Sequence, residues 1–196
     1  RLPDMADGYT YALAINEALR MDGLSALYSN SDLEAFRTGS NPELFPNVNW
    51  KDEVLKNKGT THQFNASFTG GGKNVSYFAA INYIGDNGFM NENYFSPDYS
   101  SQMSWDKLSA RANIDINATK LTLLKLNLLG ELSQHNRPAT EYSTLFPMIY
   151  DVPAAAFPVK TSTGVWGGDN VRKNPVAESL AKGFSVGNDR PLYADL

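Results

Sequence analysis

At about Thr61 the hydrophobic pattern of this chain changes its period from 3.6 residues to 2, and nothing else in the sequence constrains the fold as strongly. From Gln63 to Thr69 the residues alternate, with Phe64, Ala66 and Phe68 on one side and Gln63, Asn65, Ser67 and Thr69 on the other. Gly70-Gly71-Gly72-Lys73-Asn74 supplies the positive-φ positions of a tight hairpin turn. A second strand then sets Val75, Tyr77, Ala79, Ile81 and Tyr83 on one side, and a polar, aromatic loop is expected from Gly85-Asp86-Asn87-Gly88 to about Ser104. The third strand carries Leu108, Ala110, Ala112, Ile114 and Ile116 against Ser109, Arg111, Asn113, Asp115 and Asn117. After a short connection at Ala118-Thr119-Lys120, a fourth sets Leu124, Leu126, Leu128 and Leu132 against Lys125, Asn127, Glu131 and Ser133. Charge favours a register with Asn113 opposite Lys125 and Lys107 opposite Glu131, because the slipped alternative opposes Arg111 and Lys125.

Helical signals precede the strands. One helix is expected from about Gly8 to Met21, with Ala12, Ile15 and Leu19 on one face and Gly23 past its end. A second begins at Ser31-Asp32-Leu33-Glu34, which reads as a capping box, and stops at Gly39. Asn49 caps a third, with Asp52 and Glu53 in the first turn, where the helix dipole favours them. Past His135 a segment of more than fifty residues is too long for an ordinary loop. It holds a helix near Glu141–Tyr150, a Pro-punctuated apolar stretch from Val152 to Pro158, and a helix capped by Asn174, opened by Pro175 and ended by Gly183. The expected organisation is therefore helical over 1–59, four antiparallel strands in two hairpins over 60–134, a long loop with short helices over 135–189, and the start of a further strand over 190–196.

Several function classes are disfavoured by composition. The 196 residues carry 17 Lys+Arg against 21 Asp+Glu, a net charge of -4, with no basic block of the kind nucleic acid requires. Absence of Cys removes disulfides, thiolate zinc sites and cysteine nucleophiles. His62 and His135 are the only histidines, and neither stands near a carboxylate pattern suited to a metal or general base. Asp86-Asn87-Gly88 and Asp169-Asn170 read as turns rather than calcium loops, and Gly70-Gly71-Gly72-Lys73 lacks the spacing of a phosphate loop. No metal, cofactor or catalytic residue is expected, and no enzyme activity.

The connections alternate short, long, short, long, which puts both short turns at one end of the strands and both long loops at the other. That asymmetry, with one uncharged strand face and one charged face, fits antiparallel strands of a transmembrane β-barrel with short helices and long extracellular loops. On that reading Ala110, Ala112, Ile114, Leu124, Leu126 and Leu128 face lipid, while Arg111, Asn113, Asp115, Lys125, Asn127 and Glu131 face the lumen. Tyr83 and Trp105 would stand in an aromatic girdle near the long-loop ends. A soluble sandwich produces the same alternation with its apolar face against a core, so periodicity leaves both open. Phe78 and Ile84 fall on the charged side, which a barrel lumen would have to cover.

Phe45-Pro46-Asn47-Val48-Asn49-Trp50-Lys51-Asp52-Glu53-Val54-Leu55, followed by a His/Gln/Asn strand ending in Gly-Gly, resembles the first barrel region of SusC/RagA-type TonB-dependent transporters. Tyr77-Phe78 to Tyr83, Gly88-Phe89, Leu108 to Asn117, Leu121 to Leu128 and Asn174-Pro175-Val176-Ala177 continue the likeness over nearly the whole chain. The resemblance implies an outer-membrane importer of Bacteroidota with a plugged barrel of about 22 strands. It further implies a SusD-like surface lipoprotein as lid, energy from TonB, and glycan or peptide substrates. The chain would then be a multi-pass fragment of such an importer, in contact with outer-membrane lipid and without the TonB-binding segment. Tyr142, Tyr150, Phe157 and Trp166 in the long loop are the candidates to touch substrate or lid, unless they fold the loop on itself. The alternative is a soluble extracellular carbohydrate-binding β-sandwich with aromatic platforms.

Overall fold

The computed structural model describes residues 3–94, 100 and 102–196. The chain divides into two compact units: Arg1–Asn57, Met90–Ser100 and Pro138–Gly183 form the first, and Lys58–Phe89, Ser101–Arg137 and Phe184–Leu196 the second.

The first unit is helical: α1 (Gly8–Met21), α2 (Asn30–Thr38), α3 (Trp50–Val54), α4 (Tyr142–Asp151) and α5 (Pro175–Ala181). Local chemistry accounts for most of the ends. Asp7 caps α1 by accepting from the Thr10 N–H at 2.7 Å. Gly39 ends α2 at φ 69°, the left-handed conformation that costs glycine nothing. Asn174 accepts from the Val176 and Ala177 N–H groups, with Pro175 at the first helical position. The cap of α2 differs from expectation. Ser29, not Ser31, is the N-cap, and the reciprocal partner is Asp32: Ser29 Oγ accepts from the Asp32 N–H, while the Asp32 carboxylate accepts from the Ser29 N–H. A helix begun two residues earlier takes the nearer acid as its third residue.

This unit holds the chain's hydrophobic core. Trp50, Val54, Leu55, Met90, Leu145, Ile149, Val152, Phe157 and Val176 are buried together. Trp50 is 2% exposed, meets Phe157 edge-on at 5.3 Å, and donates its indole N–H to the Pro153 carbonyl at 3.3 Å. The Val48 N–H donates to Ala154 at 3.0 Å, and the Asn91 N–H to Val54 at 2.8 Å. Segments distant in sequence are thus tied by backbone bonds as well as by burial.

The second unit is one antiparallel sheet: β1 (Thr60–Gly71), β2 (Val75–Asn87), β3 (Ser104–Asn117), β4 (Leu123–Pro138), β5 (Phe184–Asp189) and β6 (Leu192–Asp195). Its order is β1-β2-β3-β4-β5, with β6 also on β4. β5 and β6 continue one line along the same edge of β4. Gly183 accepts from Ala139, Pro191 accepts from Glu131, and Leu192 partners Gly130. Pro191 lacks an N–H, so the ladder breaks there while its carbonyl still takes part. The fifth strand therefore starts at Phe184 rather than 190, inside the stretch expected to be loop. β2 runs through Asp86 and Asn87, which were expected to turn: Asn87 partners Thr60, and Asp86 accepts from the Thr61 hydroxyl at 2.7 Å.

The β3–β4 register also departs from expectation. Asp115 faces Lys125, Asn113 faces Asn127, and Lys107 faces Ser133, a shift of two residues from the expected pairing. The connection spans 118–122, longer than the three residues expected, and is closed by the Thr119 and Thr122 hydroxyls at 3.0 Å. The Lys107–Glu131 ion pair still forms, diagonally, at 2.8 Å. A two-residue shift leaves every side chain on its own face.

Candidate functional site: the two faces of the sheet

Register and alternation place Phe64, Ala66, Phe68, Tyr77, Ala79 and Ile81 on the same side as the third- and fourth-strand positions Ala110, Ala112, Ile114, Leu124, Leu126 and Leu128. Matched pairs run across this side: Ile114 opposite Leu126, Ala112 opposite Leu128, and Ile116 opposite Leu124. β6 extends it with Leu192 and Ala194. None of these side chains is buried; Phe68 is 66% exposed and Leu132 54%. Among the described residues the strands form a single sheet. Ordinary domains bury such a surface.

The opposite side brings together Arg111, Asn113, Asp115, Lys125, Asn127 and Glu131. Asp115 and Lys125 are direct partners, and Arg111 Nε donates to Asn113 Oδ1 at 3.3 Å. A hollow of about 440 Å³ beside Thr69, Ser76 and Phe78 is lined by Asn113, Asp115, Lys125 and Asn127. Another, of about 390 Å³, holds Arg111 with Asn65, Asn82, Phe78, Ala80 and Leu129. Phe78 and Leu129 thus make a small apolar island within a polar surface, next to a guanidinium. Leu129, the register partner of Arg111, interrupts the polar alternation of β4 on this side.

Trp105 corrects an expectation. It partners His135 and donates its indole N–H to Ser133 Oγ at 3.1 Å, on the charged side, so it does not join Tyr83 in a girdle. Tyr83 keeps the apolar side and donates its hydroxyl to Asp106 at 2.7 Å. Gly85 gives that hydroxyl its room, since a Cβ there would come within 2.5 Å of it. His135 lies against Gly187, where a Cβ would come within 2.1 Å of the ring. The two histidines share no site: His62 partners Gly85 in the β1–β2 ladder, on the face opposite to His135. Among the described residues no three His, Asp or Glu side chains gather in a way that could hold a metal ion.

The four loop aromatics belong to the first unit. Phe157 is 5% exposed in the core, so it is corrected from a contact candidate to a packing residue. Tyr142, Tyr150 and Trp166 are half-buried and pack against that core. Trp166 meets Tyr94 at 5.8 Å, and the Lys160 ammonium lies 4.1 Å from the centre of the Trp166 ring. Burial, aided by the bond it donates to Glu53 at 2.8 Å, pushes the Tyr94 hydroxyl up to about 12. Sequence reasoning missed Tyr94 and Lys160; an aromatic within a loop carries no periodic signal. No family model matches this chain, and no curated protein matches it.

Proposed function

We propose that this chain is the early barrel region of an outer-membrane importer resembling the SusC/RagA-type TonB-dependent transporters. On this reading it works by transport and performs no chemistry of its own. The observation that carries the proposal is the uncovered apolar face of the sheet, without charge from Leu108 to Ile116 on β3 and from Leu124 to Leu132 on β4, with Asp106 and Arg190 toward the long-connection end; behind it lies a face on which all the expected lumen positions gather. A lipid-facing surface excludes ions near the membrane midplane, whereas a lumen accepts them. Sidedness supports it as well. The turns at Gly72–Asn74 and 118–122 lie side by side, with the Asn117 N–H donating to the Asn74 carbonyl at 2.8 Å, and both long connections leave from the other end. Both sheet edges, β1 and the β5–β6 line, have no further strand beside them among the described residues, and a membrane barrel would pair both with other strands.

Phe78, Ala80 and Leu129 would meet whatever fills the lumen, and Tyr142, Tyr150 and Trp166 remain for a SusD-like lid or for a glycan or peptide. TonB would supply the energy. The experiment is fractionation of the full-length gene product from its native host. It should sediment with outer membranes, resist carbonate extraction, and migrate differently in gels before and after boiling. A protein that is released by carbonate and stays monomeric in detergent-free buffer refutes the assignment in favour of a soluble fold.

A further inference from the structure

The row of large side chains on the apolar face is interrupted at one place. Ala110 and Gly130 are register partners, and Leu108, Leu132 and Leu192 stand around them. They line an open trough of about 300 Å³ next to a second open hollow of about 460 Å³; Leu108, Leu132 and Arg190 border both. Each is within the size range of ligand clefts. The backbone does not demand glycine at 130. A Cβ there would meet only Leu192 Cδ1, at an ordinary 3.7 Å. Glycine thus contributes space, not conformation.

Polarity changes along the trough. The floor at Ala110 and Gly130 is uncharged, and Glu131, which also borders the trough, is paired with Lys107 at 2.8 Å; the second hollow is headed by Arg190 with Gln134 and Asn188. Among the described residues no carboxylate lies within ion-pair distance of Arg190. Asp106, on the same rim, accepts the Tyr83 hydroxyl. An apolar channel ending in an unneutralised guanidinium is complementary to one kind of molecule, an acyl chain with an anionic head.

We propose that this trough seats an acyl chain of a phosphate-bearing lipid, with Arg190 taking the phosphate. The proposal rests on the membrane reading above and deepens it. The lipid would lie in the leaflet nearest the long connections, since Arg190 is toward that end of the sheet. The test uses the full-length protein in mild detergent, exposed to phosphatidylglycerol or phosphatidylcholine of identical chains, with bound lipid counted by native mass spectrometry. Phosphatidylglycerol should be retained about fivefold over phosphatidylcholine, the preference one near-surface cation confers. Arg190→Gln should abolish that preference, and Gly130→Leu should lower retention of both lipids. If Gly130→Leu fails to assemble, Ala110→Leu fills the same space from the neighbouring strand. Equal retention of the two lipids, a preference that survives Arg190→Gln, indifference to the filling variants, or a protein dimer on this face would each overturn the site while leaving the importer intact. A protein that needs no detergent would overturn both.

Discussion

Ala112 offers the most direct test of which face meets hydrocarbon. On β3 the uncharged positions extend from Leu108 to Ile116, eight residues apart, or about 27 Å along the strand at about 3.4 Å per residue. With a barrel tilt of about 40°, that covers about 20 Å of the membrane normal, most of an apolar band about 25 Å tall. Ala112 is midway, four residues from either end, between Ala79 and Leu128 on its neighbours. Arginine at this depth should cost about 2–4 kcal/mol, a factor of about 30 to 1000 in the folded-to-unfolded ratio. Asn113, one residue along, points the other way. Asn113→Arg forfeits the 3.3 Å bond from Arg111 and adds a cation near Lys125, but gains the nearby Asp115; the net cost should be under about 1 kcal/mol. The assay is urea unfolding of each full-length variant in lipid vesicles, followed by heat-modifiable migration. Ala112→Arg should shift the midpoint strongly and Asn113→Arg little. Equal shifts, or a larger one at Asn113, would show that the faces have been assigned to the wrong media.

Gly187→Val should cost about 1–3 kcal/mol by overpacking against the His135 ring, and His135→Ala should recover most of that loss in the same assay, because the three atoms nearest a Cβ there all belong to that ring. An unrescued double variant would mean the glycine is needed for the backbone. The Asp7 carboxyl is held below its ordinary value mainly by the Thr10 backbone N–H, so its contribution to α1 is complete above about pH 4 and fades as pH falls through the lowered value. Hydrogen-exchange protection of the first turn of α1 should fall on acidification below that point. Asp7→Asn should remove this dependence while keeping the cap; an unchanged acid response would assign it to another group.

What the sequence made legible is what local chemistry decides. The caps at Asn49 and Asn174 and the stop at Gly39 need only a few neighbouring residues, and all three are found. The faces of the first four strands follow from alternation alone. The core of the first unit was not legible, because it joins Trp50 to Phe157 and Leu55 to Met90 across long separations with no shared period. Phe157 therefore looked like a free loop aromatic, although the Pro-punctuated apolar run around it was a visible hint of packing. β5 escaped notice for a different reason. Phe184-Ser185-Val186-Gly187-Asn188-Asp189 is short and contains a glycine that weakens any strand signal, and its place on β4 depends on that glycine passing His135.

The β3–β4 error separates two things that a strand sequence encodes with unequal strength. Which face a residue occupies is a parity, and any shift by two residues preserves it. Which residue stands opposite is a difference of a few tenths to about 1 kcal/mol among competing pairs. Charge alone ranked a direct Lys107–Glu131 pair first, but the observed register keeps that ion pair as a diagonal and adds Asp115 directly across from Lys125. It also matches Ile116 with Leu124 and Leu108 with Leu132 on the far side. The ion pair is kept and opposite charges are set across the ladder, at the cost of two more residues in the turn, and loop closure is only weakly sensitive to length. The two-faced character on which the importer reading depends is therefore untouched by the slip, whereas the Ala110–Gly130 trough is created by it: in the expected pairing Ala110 would face Leu128, and the gap under Arg190 would be filled.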